Sequence, residues 1–86
     1  MRDVHRALAR EIGRRHPELT LLSSGSEPWA SVTFTGERHR YAFGPGPLPL
    51  DLPEAEFVLP GHVVADLTVA STPEGICIEA LTIEAN

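Results

Sequence analysis

Four histidines, one cysteine and a serine-rich turn are the residues of this chain whose side chains could carry chemistry, and their spacing argues against most of it. His5 and His16 are eleven positions apart, about three helical turns, too far to share an ion. His39 and His62 stand alone, with no HxH or HxxxH pair, so no metal centre is expected. His62 and Asp66 look like an i, i+4 dyad, but on a strand rising about 3.3 Å per residue they are roughly 13 Å apart. Ser24-Gly25-Ser26 lacks the second glycine and the strand-to-helix setting of a nucleophile elbow, and reads as a turn. Cys77 is the single cysteine, which excludes an internal disulfide and a cysteine-based cluster; in an Ile-rich strand it reads as a small buried hydrophobe.

Absent residue types narrow the field further. There is no Lys, which removes P-loop and Schiff-base chemistry, and no Gln, with Asn86 the only Asn, which removes the usual amide readout of adenine. Histidine is then the remaining acid/base group with an unperturbed pKa near neutrality. A small-ligand or histidine-dependent enzymatic pocket, if one exists, is placed around Trp29, His39, Tyr41 and His62. The plainer reading makes His39 a partly buried member of a cluster with Phe34 and Tyr41. No catalytic residue is assigned, and no cofactor is expected.

Charge is the feature that points to partners. Five of the seven arginines lie in the first fifteen residues, and residues 41–86 hold seven carboxylates and no basic side chain, within a net charge of -5. Arg2, Arg6, Arg10 and Arg14 recur every fourth position, a stripe on one side of a helix. Asp3 and Glu11, placed before Arg6 and Arg15, offset part of it. The stripe is a candidate partner-binding face, but the acidic remainder repels a polyphosphate backbone, so nucleic acid is the disfavoured ligand.

The elements that must position these residues follow from patterning. Val4, Ala7, Leu8 and Ile12 at helical spacing, Asp3 as cap and Pro17 as stop predict one N-terminal amphipathic helix. Leu19 to Leu22 could begin a strand, and Ser23 to Pro28 reads as turn. Alternation in Trp29–Thr35 and Arg38–Phe43 about Gly36-Glu37 predicts a tight hairpin, with Phe34 beside His39, Val32 beside Tyr41 and Ala30 beside Phe43. Pro45, Pro47, Pro49 and Pro53 make residues 44–53 a stiff crossover rather than a strand, and Phe57 to Leu59 could add a short edge strand. His62–Ala70 and Ile76–Glu84 form a second hairpin about Thr72-Pro73-Glu74-Gly75, with a bulge expected near Glu79-Ala80 to bring Ile76, Ile78, Leu81 and Ile83 onto one face.

The expected fold is α+β: one domain over residues 1–86, an N-terminal α-helix packed on a four- to five-stranded antiparallel sheet made of two hairpins joined by the Pro-rich crossover. A domain this small buries only about 60% of its unfolded surface, leaving little room for a deep site. No stretch is apolar for long enough to span a bilayer and no signal-peptide core follows the basic N-terminus, so a cytoplasmic protein without membrane contact is expected. One short helix covers only part of a sheet face. Val64, Ala70, Ile76 and Ile78 could occupy the other, and the expected function is a non-enzymatic interaction or assembly module that self-associates.

Overall fold

A computed structural model describes residues 3–85 of the 86-residue chain. The order is α1 (Val4–Arg15), β1 (Leu21–Ala30), β2 (Thr35–Phe43), a 3-10 turn at Leu52–Glu54, β3 (His62–Thr72) and β4 (Gly75–Glu84). The helix forms where the pattern places it. Asp3 caps it by accepting the Arg6 backbone N–H at 3.2 Å, while Val4, Leu8 and Ile12 are buried along one side. Pro17 disfavours helical geometry at the residue before it, and His16 accordingly leaves the helix at φ -134°, ψ 69° with its N–H still on the Ile12 carbonyl.

The four strands form one antiparallel sheet in the order β1-β2-β4-β3. The second hairpin lies where expected: Thr72 pairs with Gly75 across Pro73-Glu74. Gly75, at φ 151°, needs its missing side chain, because a Cβ there would run into the Phe43 carbonyl oxygen.

The first hairpin is displaced from its expected place. Ser23 to Pro28 is strand rather than turn, and the chain reverses at Ser31–Phe34, with Ala30 opposite Thr35. Ser31 organises that reversal: its Oγ accepts the N–H groups of Thr33 and Phe34 at 3.3 and 3.1 Å. Gly36 sits inside β2, between Trp29 on β1 and Ile83 on β4. There a Cβ would overlap the backbone carbonyl of Thr82, so the glycine marks a close strand approach, not a turn. The cross-strand neighbours change with it. His39 faces Ser26, Tyr41 faces Ser24 and Phe43 faces Leu21, while Val32 and Phe34 are exposed at the reversal.

The bulge expected in β4 is also elsewhere. β4 pairs without interruption, and the irregularities fall in β3 between Val64 and Asp66 and in β1 between Leu21 and Ser23. Simple alternation therefore sends Ile76, Ile78, Ala80 and Thr82 to the core and Leu81 and Ile83 to the other face. Ile76 and Ile78 are thus not part of the second face. Instead of a further strand, Leu59 makes a single bridge with His62.

The core lies between α1 and the sheet. Val4, Leu8, Ile12 and Leu19 meet Tyr41, Phe43, Leu67, Ile76 and Ile78, and the Pro-rich crossover adds Leu52 and a fully buried Pro49. The crossover is tied to the end of α1: His16 Nε2 lies 2.7 Å from Asp51 Oδ1, and the Arg15 guanidinium stacks 5.1 Å over the Phe57 ring while donating to the Glu56 carbonyl. Among the described residues no helix is long and apolar enough to cross a membrane.

Candidate functional site

Alternation along β2 turns His39 and Tyr41 toward α1, and the first turn of α1 lays His5 over them. The three rings are nearly parallel. His5 stacks on Tyr41 with centroids 4.6 Å apart and lies edge to edge with His39, the centroids 5.1 Å apart and the planes 14° from parallel. Tyr41 Oη donates to the His5 carbonyl at 2.7 Å, which ties the sheet to the helix backbone. Burial raises the Tyr41 phenol well above its ordinary range, so it remains a donor.

A line of hydrogen bonds passes through the two histidines. Ser24 Oγ is 2.9 Å from His5 Nε2, His5 Nδ1 is 2.9 Å from His39 Nδ1, and His39 Nε2 is 2.8 Å from Thr82 Oγ1, itself 3.4 Å from the Glu37 carbonyl. One proton assignment satisfies every atom: Ser24 donates to His5, His5 Nδ1–H to His39, His39 Nε2–H to Thr82, and Thr82 to Glu37. His39, only 2% exposed, is lowered to about 4. The chief cause is burial, followed by repulsion from His5 and then His62, with Asp3 opposing. At neutral pH it is an uncharged acceptor at Nδ1.

Ser24, His5 and His39 stand in the order of nucleophile, base and orienting group. Ser24, however, is an exposed edge-strand residue, and the groove that it borders with His39 lies open across the edge of the sheet onto its uncovered face. The line is suited to holding and exchanging a proton between solvent at Ser24 and the interior.

That groove, about 630 Å³, is bordered by Glu27, Arg38, Arg40, Asp66, Glu79 and Leu81. Arg40 is paired with Glu79 at 2.9 Å across β2 and β4. At one end of the same face, register aligns Trp29, Ile83 and Val63 around Gly36. Val63 is 50% exposed and Trp29 is half-buried, its indole N–H without a partner among the described residues.

Of the four residues expected to share a pocket, the structure joins His39 and Tyr41 and separates the others. Trp29 lies on the open face, and His62, its Nδ1 3.1 Å from the Pro60 carbonyl, reaches His39 only through its charge. Sequence reading missed His5, Ser24 and Thr82. His5 is three residues before Leu8 and seven before Ile12, beside the apolar stripe, and Thr82 continues the parity of Ile76, Ile78 and Ala80.

In the arginine stripe, Arg6, Arg10 and Arg14 are exposed, and Arg2 lies outside the described residues. Glu11 pairs with Arg14 at 2.8 Å rather than with Arg15, and that hydrogen bond holds Glu11 below the usual carboxylate range. Arg6 and Arg10 border a smaller hollow of about 340 Å³ with Leu59 and Pro60. Among the described residues, no group of three or more His, Cys, Asp or Glu is placed to hold a metal ion. Comparison with family models, curated proteins and solved structures finds no match to this chain.

Proposed function

We propose that this protein is a non-enzymatic assembly module that pairs with a second copy of itself through the uncovered face of its sheet. The observation that carries this reading is the composition of that face. An apolar row of Trp29, Ile83 and Val63 adjoins a band in which Arg38 and Arg40 alternate with Glu27, Glu79 and Asp66. Under a two-fold rotation such a band offers arginines to carboxylates in both directions, the self-complementarity an isologous dimer needs. Exposed Arg6 and Arg10 supply a further basic surface for the acidic C-terminal half of a neighbour.

Sedimentation velocity across micromolar concentrations tests the idea. The expected result is a dimer that weakens with added salt and dissociates in an Arg38→Glu variant. A monomer throughout, or a dimer indifferent to Arg38→Glu and to salt, would refute it.

A second reading, a histidine-dependent acyl-transfer site, draws on the 2.9 Å contact between Ser24 Oγ and His5 Nε2. It requires that a fluorophosphonate probe label Ser24, and that His5→Phe abolish the labelling.

A further inference from the structure

The seam between α1 and the sheet contains a proton count that the docked and freed states cannot share. Two neutral imidazoles carry two ring protons over four nitrogens, and two imidazolium ions carry four. In the docked arrangement the Nδ1 atoms of His5 and His39 face each other at 2.9 Å, a distance that admits one N–H and one lone pair. A third proton has a place, at His5 Nε2, where the exposed Ser24 hydroxyl can turn to accept it. A fourth is held off to well below the ordinary histidine range, because it would set two N–H groups and two positive charges against each other.

We propose that the His5–His39 contact is an acid-released clasp: the docked helix holds one proton fewer than the separated histidines, so mild acidification detaches α1 from the sheet. The proposal concerns the helix-covered face and is independent of self-association through the other.

The surroundings compensate the excess charge only in part. From α1, Asp3 favours a charged His39; from β3, His62 opposes it. From β2, Tyr41 stays neutral, raised by burial and then by the Asp3 and Glu37 carboxylates, and the Glu37 carbonyl is engaged by Thr82. Glu84, the acidic residue beyond Thr82 on β4, is aligned with His62 rather than with the pair.

The sign follows from linkage. Below the ordinary histidine pKa of 6.5 the freed state binds more protons, so docking weakens as pH falls, by up to about tenfold per pH unit for one proton. The window closes where the docked His39 itself accepts a proton, at about 4, which limits the total change to about 300-fold.

Amide hydrogen exchange by NMR at pH 7, 6 and 5, corrected for intrinsic rates, provides the test. Protection of α1 amides is expected to fall about tenfold between pH 6 and 5 while β4 amides retain theirs. A His39→Phe variant, which removes the buried imidazole that the docked state keeps uncharged, should flatten that fall; His5→Phe, which lifts the charge repulsion and leaves the burial, should lessen it, and His16→Gln should preserve it. Protection of α1 that is independent of pH, an undiminished fall in His39→Phe, or loss of α1 and β4 protection in step would each overturn the proposal. If His39→Phe does not fold, imidazole nitrogen shifts of the unaltered protein decide. Uptake of a single proton by the pair between pH 7 and 5 supports the clasp, and two independent, complete titrations refute it.

Discussion

Replacing Thr82 by valine separates two accounts of the core. Thr82 is fully buried among Ile78, Ala80 and Val64, so hydrophobicity alone would favour an isosteric methyl in place of the hydroxyl, by at most about 0.8 kcal/mol. The hydrogen bonds argue the other way. Thr82 Oγ1 is the partner of His39 Nε2 at 2.8 Å, and His39 is 2% exposed, so Thr82→Val strands a buried N–H at about 1–3 kcal/mol. The net expectation is a loss of about 1–2 kcal/mol, equivalent in a domain of this size to a fall in Tm of roughly 5–15 °C. Urea denaturation and calorimetry at pH 7 would measure it. In a His39→Phe background, where no N–H remains to strand, the same substitution should cost nothing. Equal or greater stability of Thr82→Val in the otherwise unaltered protein would show that the hydroxyl is not committed to His39, and would remove the inner end of the hydrogen-bonded line.

Two further substitutions address the frame. Gly36→Ala forces a Cβ into the Thr82 carbonyl and should cost about 3 kcal/mol or more by pushing β2 from β4, read as loss of soluble folded protein or a collapsed urea midpoint; a change below about 1 kcal/mol would mean that Gly36 is in a turn after all. Asp3→Ala removes the N-cap of α1 and should cost about 1 kcal/mol in urea denaturation, with Asp3→Asn restoring most of it because the amide oxygen can still accept from Arg6 N–H.

The parts of the fold legible in the sequence were those set by local rules. The helix was announced by a cap, an apolar stripe and a proline stop, and the second hairpin by a turn whose glycine takes a positive φ. The first hairpin was misplaced because glycine has two meanings: it permits a turn, and it permits backbones to approach. Only the neighbouring strand decides between them, and Thr82 of β4, which Gly36 meets, lies 46 residues further along the chain. The same dependence hid the histidine pair. His5 and His39 are 34 residues apart, and nothing local tells either that the other's Nδ1 will be its partner. A bulge was expected in β4 because Ile76 and Ile78 differ in parity from Leu81 and Ile83; the strand instead runs unbroken and carries Thr82 inward, where its hydroxyl has partners that make the interior acceptable.

Why a domain with so small a core should contain a polar seam follows from what apolar contacts cannot specify. Val4, Leu8 and Ile12 give α1 one narrow stripe, and dispersion and burial are nearly indifferent to a modest rotation or slide of that stripe over Ile78 and Leu67. The Tyr41 hydroxyl accepts no such tolerance: it meets the His5 carbonyl at 2.7 Å, and the His5 ring must lie flat on Tyr41 while presenting Nδ1 to His39. A quarter turn of the helix would break all three contacts and leave His39 buried without a partner at Nδ1. The seam therefore fixes the helix's rotation through groups whose satisfaction depends on geometry. Because two of those groups titrate near neutrality when free, the contact that fixes the helix is also the one most exposed to pH.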